Sequence, residues 1–170
     1  YRAVVLCRRD RLERAGLPSL VDKNSALWKS VDLRFVNSAE DAMHDLLSVS
    51  TWREVPHVIA VEDIEELVCV KHAKGSDAYL KSLTLLLATL QDARLYAAQF
   101  LKKSAGVGDA GSLMHQACVS VVTLRGDVDH YGMSKVRLWF PLCLQLASEA
   151  DNVCVMQAEN QEGCPQIMYS

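Results

Sequence analysis

Apolar positions along this chain follow two periods. From residue 3 to residue 7 they run unbroken as Ala3-Val4-Val5-Leu6-Cys7, the pattern of a strand buried on both faces of a sheet. Val31, Leu33 and Phe35 then alternate with Asp32 and Arg34, which reads as a second strand over residues 31–36. Val58 to Val61 forms a third buried run and Cys118 to Leu124 a fourth. Between the strands the period lengthens. Ala39, Ala42, Met43, Leu46 and Leu47 make the apolar face of a helix. Asn37 or Ser38 is placed to cap it, and Glu40 and Asp41 sit in the first turn, where the helix dipole favours acids. Ile64, Leu67 and Val68 have helical spacing just after the third strand. Gly75-Ser76-Asp77 breaks the chain and caps the longest helix, about Ala78 to Lys103, with Leu80, Leu83, Leu87, Leu90, Leu95 and Ala98 as its stripe.

The pattern changes toward the C-terminus. Residues 104–112 read as a flexible linker and Arg125 to Lys135 as a polar loop. Three short apolar runs follow: Leu142 to Leu146, Val153 to Ala158 and Gln166 to Tyr169. Their short links favour antiparallel hairpins. Strand–helix units followed by a meander predict an α/β fold: a mainly parallel sheet flanked by helices, with antiparallel C-terminal strands completing a mixed sheet. Residues 1–170 are expected to form one domain. The first residue is Tyr1 and strand character begins at Ala3, so the sequence is expected to start inside a larger protein.

Composition narrows the function classes. A hydrophobic content of 50% and a charged content of 23% describe an ordinary globular chain. The net charge of −3 gives no general attraction to nucleic acid, so any polyanion site must be a local patch. No apolar run approaches the roughly 18 residues of a membrane span. The six cysteines include no C-x-x-C pair, and most lie in apolar runs. They read as small buried hydrophobes in a reducing compartment rather than as a zinc site or a disulfide framework.

The densest candidate chemistry is the stretch HVIAVEDIEELV. A buried parallel strand delivers its last residues to the carboxyl edge of the sheet, where α/β folds bind ligands. There Glu62 and Asp63 are placed to hold magnesium. The simpler reading makes them exposed acids at the start of the following helix. No G-x-x-x-x-G-K-[ST] loop occurs, and Gly106, Gly108 and Gly111 lack the lysine and helix that such a loop needs. Arg8, Arg9, Arg11 and Arg14 suit phosphate contacts, or equally a solvated or partner-facing surface balanced by Asp10 and Glu13. In RGDVDHYGMSKVR, the cations Arg125, Lys135 and Arg137 suit a nucleic-acid backbone and His130 or Tyr131 a stacked base, while Asp127 and Asp129 weaken the footprint. Asp127, Asp129 and His130 lack the spacing of a metal motif. No G-x-S-x-G elbow or nucleophile–base pair is present, so no catalytic residue is assigned. Trp28, Trp52 and Trp139 read as packing or interface anchors.

The order of these segments resembles the RecA-like recombinase family. The run CVSVVTL, a loop and then VRLWFPLCLQLASEADNVCVMQAENQEGCPQIMYS follow the family's C-terminal arrangement, and HVIAVED looks like its second nucleotide-binding motif. VVLCRR and VEDIEEL are similar to segments of the paralogue branch that includes the ATPase-like subunit of the animal Shu complex. The resemblance implies a nuclear recombination mediator. It would pair with a SWIM-domain protein and promote or stabilise recombinase filaments on single-stranded DNA. It further implies ATP and magnesium as cofactors if nucleotide is bound, with Glu62 and Asp63 facing the metal. Arg125, Lys135 and Arg137 would lie in or beside a weak DNA-binding loop. The chain departs from the family in two ways: it contains no phosphate loop, and Glu62 stands where the family usually has aspartate. Both leave ATP hydrolysis open. The rival readings are a working P-loop ATPase of the RecA class, whose phosphate loop precedes Tyr1, and an unrelated α/β interaction domain.

Overall fold

A computed structural model describes residues 1–15, 28–104, 117–124, 130–140, 144–150, 153–158 and 167–169. Its elements are β1 (Ala3–Cys7), α1 (Arg9–Ala15), a short 3-10 turn (Trp28–Ser30), β2 (Val31–Phe35), α2 (Ala39–Leu47), a second 3-10 turn (Val49–Thr51), β3 (Val58–Val61), α3 (Ile64–Cys69), α4 (Asp77–Ser104), β4 (Val119–Val122), α5 (His130–Trp139), β5 (Leu144–Ala150), β6 (Val153–Ala158) and β7 (Ile167–Tyr169). The protein is α/β, with a four-stranded sheet of order β2-β1-β3-β4 flanked by helices. All three ladders are parallel, pairing Val5 with Leu33, Val5 with Ala60, and Ala60 with Val121. The acid-tipped strand β3 is internal, with β1 on one side and β4 on the other.

Strands β5, β6 and β7 pair antiparallel in a sheet of their own, order β5-β6-β7. The expected single mixed sheet is therefore corrected: among the described residues no ladder joins the two sheets. Helix α5 occupies the chain between β4 and β5, so β4 is not followed by the hairpin that would have extended its sheet. The expected linker over 104–112 falls, after Ser104, outside the described residues.

Local chemistry accounts for the helix boundaries. Ser38 caps α2, its hydroxyl accepting from the Asp41 N–H at 3.2 Å, with Glu40 and Asp41 in the first turn. The Ser76 hydroxyl accepts from the Tyr79 N–H at 3.1 Å at the start of α4. Along α4 the buried positions Tyr79, Leu83, Leu86, Leu90, Ala93 and Ala97 repeat at helical spacing.

The crossover rule assigns these helices to faces. Parallel strands join through right-handed crossovers. The step from β1 to β2 runs toward one edge of the sheet, whereas β2 to β3 and β3 to β4 run toward the other. Helix α1 therefore lies on one face, and α2, α3 and α4 on the opposite face. Burial agrees with this. Val4 and Leu6 of β1 and Ile59 and Val61 of β3 are fully buried. They share one core with Ala42 and Leu46 of α2, Ile64 and Leu67 of α3, and Leu83, Leu87 and Leu90 of α4.

Candidate functional site: the carboxyl ends of the two central strands

Open α/β sheets bind ligands at the carboxyl edge, where neighbouring strands send their crossovers to opposite faces. In this sheet that switch point lies between β1 and β3. The residues arriving there are Cys7 and Arg8 from β1, and Glu62 and Asp63 from β3.

Hydrogen bonds fix the turn after β3. The Glu62 N–H continues the sheet by donating to the Leu6 carbonyl at 2.9 Å. The Asp63 N–H donates to the Thr123 hydroxyl at 2.9 Å, and the Ile64 N–H to the Thr123 carbonyl at 3.1 Å, tying the turn to the end of β4. Asp63 adopts a left-handed backbone conformation (φ 46°, ψ 54°), which aspartate tolerates better than most residues. The two acids are not exposed helix caps. Asp63 is 6% exposed and makes no side-chain cap hydrogen bond, while Glu62 is half-buried.

Guanidinium groups meet these acids. Arg11 of α1 donates from Nε to Glu66 Oε2 at 2.9 Å, and its Nη2 meets Glu66 Oε1, making a two-point pair with α3. Arg11 Nε also stands 4.0 Å from Asp63 Oδ2. Arg8 grips Asp10 with two bonds of 3.0 Å and approaches Glu66 at 3.8 Å. The reading of this arginine group as a solvated surface needs correction for Arg8 and Arg11, which bind α1 to α3 across the switch point. Arg9 stacks on Phe35, 4.5 Å from the ring centroid. The side chain of Arg14 is outside the described residues. Beside this network, burial and then the Glu62 carboxylate raise the Cys7 thiol above its ordinary value, so it stays protonated at neutral pH.

A divalent cation at this edge would compete with Arg11 for Asp63 and Glu66. Among the described residues no group of three or more histidine, cysteine, aspartate or glutamate side chains is placed to hold a metal ion. The acids as arranged fit ion pairing better than magnesium coordination. A cavity of about 530 Å³ opens elsewhere, lined by Asp32, Arg34, Phe35, Asn37, Asp41 and Asp45 at the end of edge strand β2. Arg34 crosses it, bonding Asp32 at 3.2 Å and Asp45 at 2.9 Å and stacking on Trp52 at 4.1 Å. The cavity is thus bridged by its own ion pairs.

The segment expected as a polar loop from Arg125 to Lys135 is helical in its described part. Residues 130–139 form helix α5, while Arg125, Asp127 and Asp129 lie outside the described residues. Lys135 is half-buried and Arg137 exposed. Two residues apart on a helix, they point in different directions and make no shared cationic face. Val136, between them, is 1% exposed and belongs to the core, while Leu138 and Trp139 are exposed at 76% and 37%. Trp52 is a core residue, whereas Trp139 keeps the exposure of an interface anchor.

Fold and site together define an α/β domain with a parallel sheet whose topological switch point is bridged by arginine–carboxylate pairs. No protein-family model and no curated protein sequence matches the chain.

Proposed function

We propose that this chain is a RecA-like recombination-mediator subunit, acting through its surfaces rather than through nucleotide hydrolysis. In this reading it pairs with a SWIM-domain protein in the nucleus and promotes or stabilises recombinase filaments on single-stranded DNA. The observation that carries the non-hydrolytic part is the engagement of Asp63 and Glu66 by Arg11 at the switch point. The internal, acid-tipped β3 in an all-parallel sheet supports the RecA-like class. The exposed pair Leu138 and Trp139 supports a docking role, because aromatic anchors dominate the energetics of protein interfaces. ATP and magnesium, with Glu62 and Asp63 toward the metal, belong to the rival ATPase reading.

The test is co-expression with a SWIM-domain protein, followed by recombinase-filament assembly on single-stranded DNA. The expected result is a one-to-one complex that extends filament lifetime, is lost with Trp139→Glu, and is unchanged with Glu62→Gln and Asp63→Asn. A stable monomer that neither binds the partner nor alters filaments overturns the proposal. DNA-stimulated ATP turnover abolished by Glu62→Gln would instead favour the ATPase.

A further inference from the structure

Strand β2 forms one edge of the parallel sheet, and among the described residues it pairs with β1 alone. The Val36 N–H donates inward, to the Cys7 carbonyl at 3.0 Å. Backbone groups alternate in direction along a strand. Asp32 and Arg34 therefore also turn theirs toward β1, while Val31, Leu33 and Phe35 turn theirs to the open edge. Such an edge accepts another strand unless something blocks it, and charge is a common block. The charges on β2 are one acid and one base, Asp32 and Arg34, on the same face.

That arrangement is complementary to itself. Set a second copy of β2 antiparallel to the first, about a two-fold axis through Leu33. Leu33 then faces Leu33, Val31 faces Phe35, and Asp32 faces Arg34. Every residue with outward backbone groups falls in a hydrogen-bonded pair and exchanges both its N–H and its C=O bond, at a Cα separation of about 5.5 Å. Asp32 and Arg34 fall in the closer, non-hydrogen-bonded pairs, where opposite charges attract. Valine against phenylalanine is likewise a favoured cross-strand pair. Sliding the copy by two residues sets Asp32 against Asp32 or Arg34 against Arg34. Sliding it by one turns outward backbone groups against inward ones. Charge and hydrogen bonding thus select the same register.

The ends of the strand agree with this. In that register the turn before β2 in one copy lies beside the chain that follows β2 in the other. The turn carries Lys29, which is exposed. The chain after β2 carries the cavity lined by Asp32, Asp41 and Asp45, with Arg34 as the cation among its lining residues. Three acids there outnumber one base, and Lys29 of the second copy supplies positive charge at its mouth. We propose that two copies of this chain join β2 to β2 about a two-fold axis through Leu33, making one continuous sheet. The contact is isologous, so it closes at the dimer. It uses β2 rather than Leu138 and Trp139, so it goes beyond the recombination reading and does not depend on it.

The test begins with sedimentation equilibrium of the unaltered chain from about 1 to about 500 μM. The expected mass doubles across this range and rises no further. Hydrogen exchange at the Val31, Leu33 and Phe35 amides slows at least about tenfold at the high concentration, while the Asp32 and Arg34 amides change little. Leu33→Cys, gently oxidised, links residue 33 to residue 33, as mapped by mass spectrometry, because the expected Cα separation of about 5.5 Å suits a disulfide. Val31→Cys does not link to itself. Asp32→Lys sets like charges opposite each other twice and weakens the dimer about tenfold. Lys29→Glu, at an exposed position outside the strand, weakens it about threefold or more without touching the core. A chain that stays monomeric to about 500 μM overturns the proposal. So do association beyond the dimer, a dimer whose β2 amides exchange as in the monomer, a Val31→Cys link as efficient as the one at residue 33, and an affinity unchanged by Lys29→Glu.

Discussion

The arginine–carboxylate closure of the switch point can be measured by a double-mutant cycle on Arg11→Gln and Glu66→Gln. The pair has two contacts, and its side chains are 22% and 32% exposed, so it is neither fully solvated nor dry. A hydrogen bond to a charged group contributes about 1.5–3 kcal/mol when sheltered, and an exposed ion pair about 0–1 kcal/mol. The partial burial places the coupling between these limits, at about 1–2 kcal/mol. The single variants should differ. Glu66→Gln removes one acid and leaves Arg11 beside Asp63. Arg11→Gln also withdraws a cation from Asp63, whose side chain is 8% exposed, so it should cost more, about 2–3 kcal/mol. Urea unfolding at neutral pH, followed by tryptophan fluorescence, reads these differences because Trp52 is buried in the core. A coupling below about 0.3 kcal/mol is simple additivity. That result, or a greater loss from Glu66→Gln than from Arg11→Gln, would refute the closure.

Three further outcomes are expected. Ser38→Ala removes the α2 cap and lowers stability by about 1 kcal/mol in the same urea assay, while Ser38→Gly costs only a few tenths. Ile59→Ala, at a fully buried position of β3, costs about 2–5 kcal/mol, against about 0.5–1.5 kcal/mol for Ile59→Val. Among Cys7, Cys69 and Cys118, mass spectrometry after brief alkylation near pH 8 should find Cys69 modified first, since it is exposed and the others are buried. Burial, opposed by Arg94, pushes the Cys118 thiol up to about 11, so the folded state holds this proton more tightly than the unfolded state. Its stabilising effect is complete below about pH 9 and is lost as pH rises toward about 11. Cys118→Ala should flatten that alkaline decline in thermal melts.

Strands were the most legible part of the sequence, because a buried parallel strand is a short apolar run and little else looks like one. β1 and β3 lie where their runs predict, and Ser38 caps α2 as its position before Ala39 suggests. Helix α4 is legible in extent and largely in phase. Of the expected stripe, Leu83, Leu87 and Leu90 are buried and Leu80 and Ala98 pack against the core, but Leu95 is 47% exposed, and the small Ala93 and Ala97 carry the buried line onward. Residue size was a poorer guide than the 3.6-residue period counted from Tyr79. Helix α5 was hidden by polarity, since Gly132, Ser134, Lys135 and Arg137 resemble loop composition. The available signal was the spacing of Gly132, Val136 and Phe140, which places two buried positions and one core-packed aromatic on one side of a helix.

Strand β2 shows why the site was harder to read than the fold. Its alternation was correct, but the apolar side faces away from the main core. The polar side faces α2, where Arg34 pairs with Asp45 and stacks on Trp52. A pattern of two fixes that residues share a face and leaves open which face is which; crossover handedness supplies the second fact. The arginines after β1 were ambiguous for a related reason. Eleven and sixty-six are far apart in sequence, and only the adjacency of β1 and β3 brings Arg11 to Glu66.

Topology and side-chain chemistry therefore make separate contributions at the carboxyl edge. The order β2-β1-β3-β4 opens a crevice between β1 and β3 whatever residues occupy it. Arg8 and Arg11 then decide what fills it, by supplying internally the positive charge that an external cation would otherwise bring. An acid held in this way gains little from magnesium, because binding the metal requires breaking a two-point ion pair first. Removing Arg11 should reverse that balance. If the crevice is a cation site in latent form, magnesium should raise the melting temperature of Arg11→Gln while leaving the parent unchanged. An equal response in both proteins would mean that the arginine is not what closes the site.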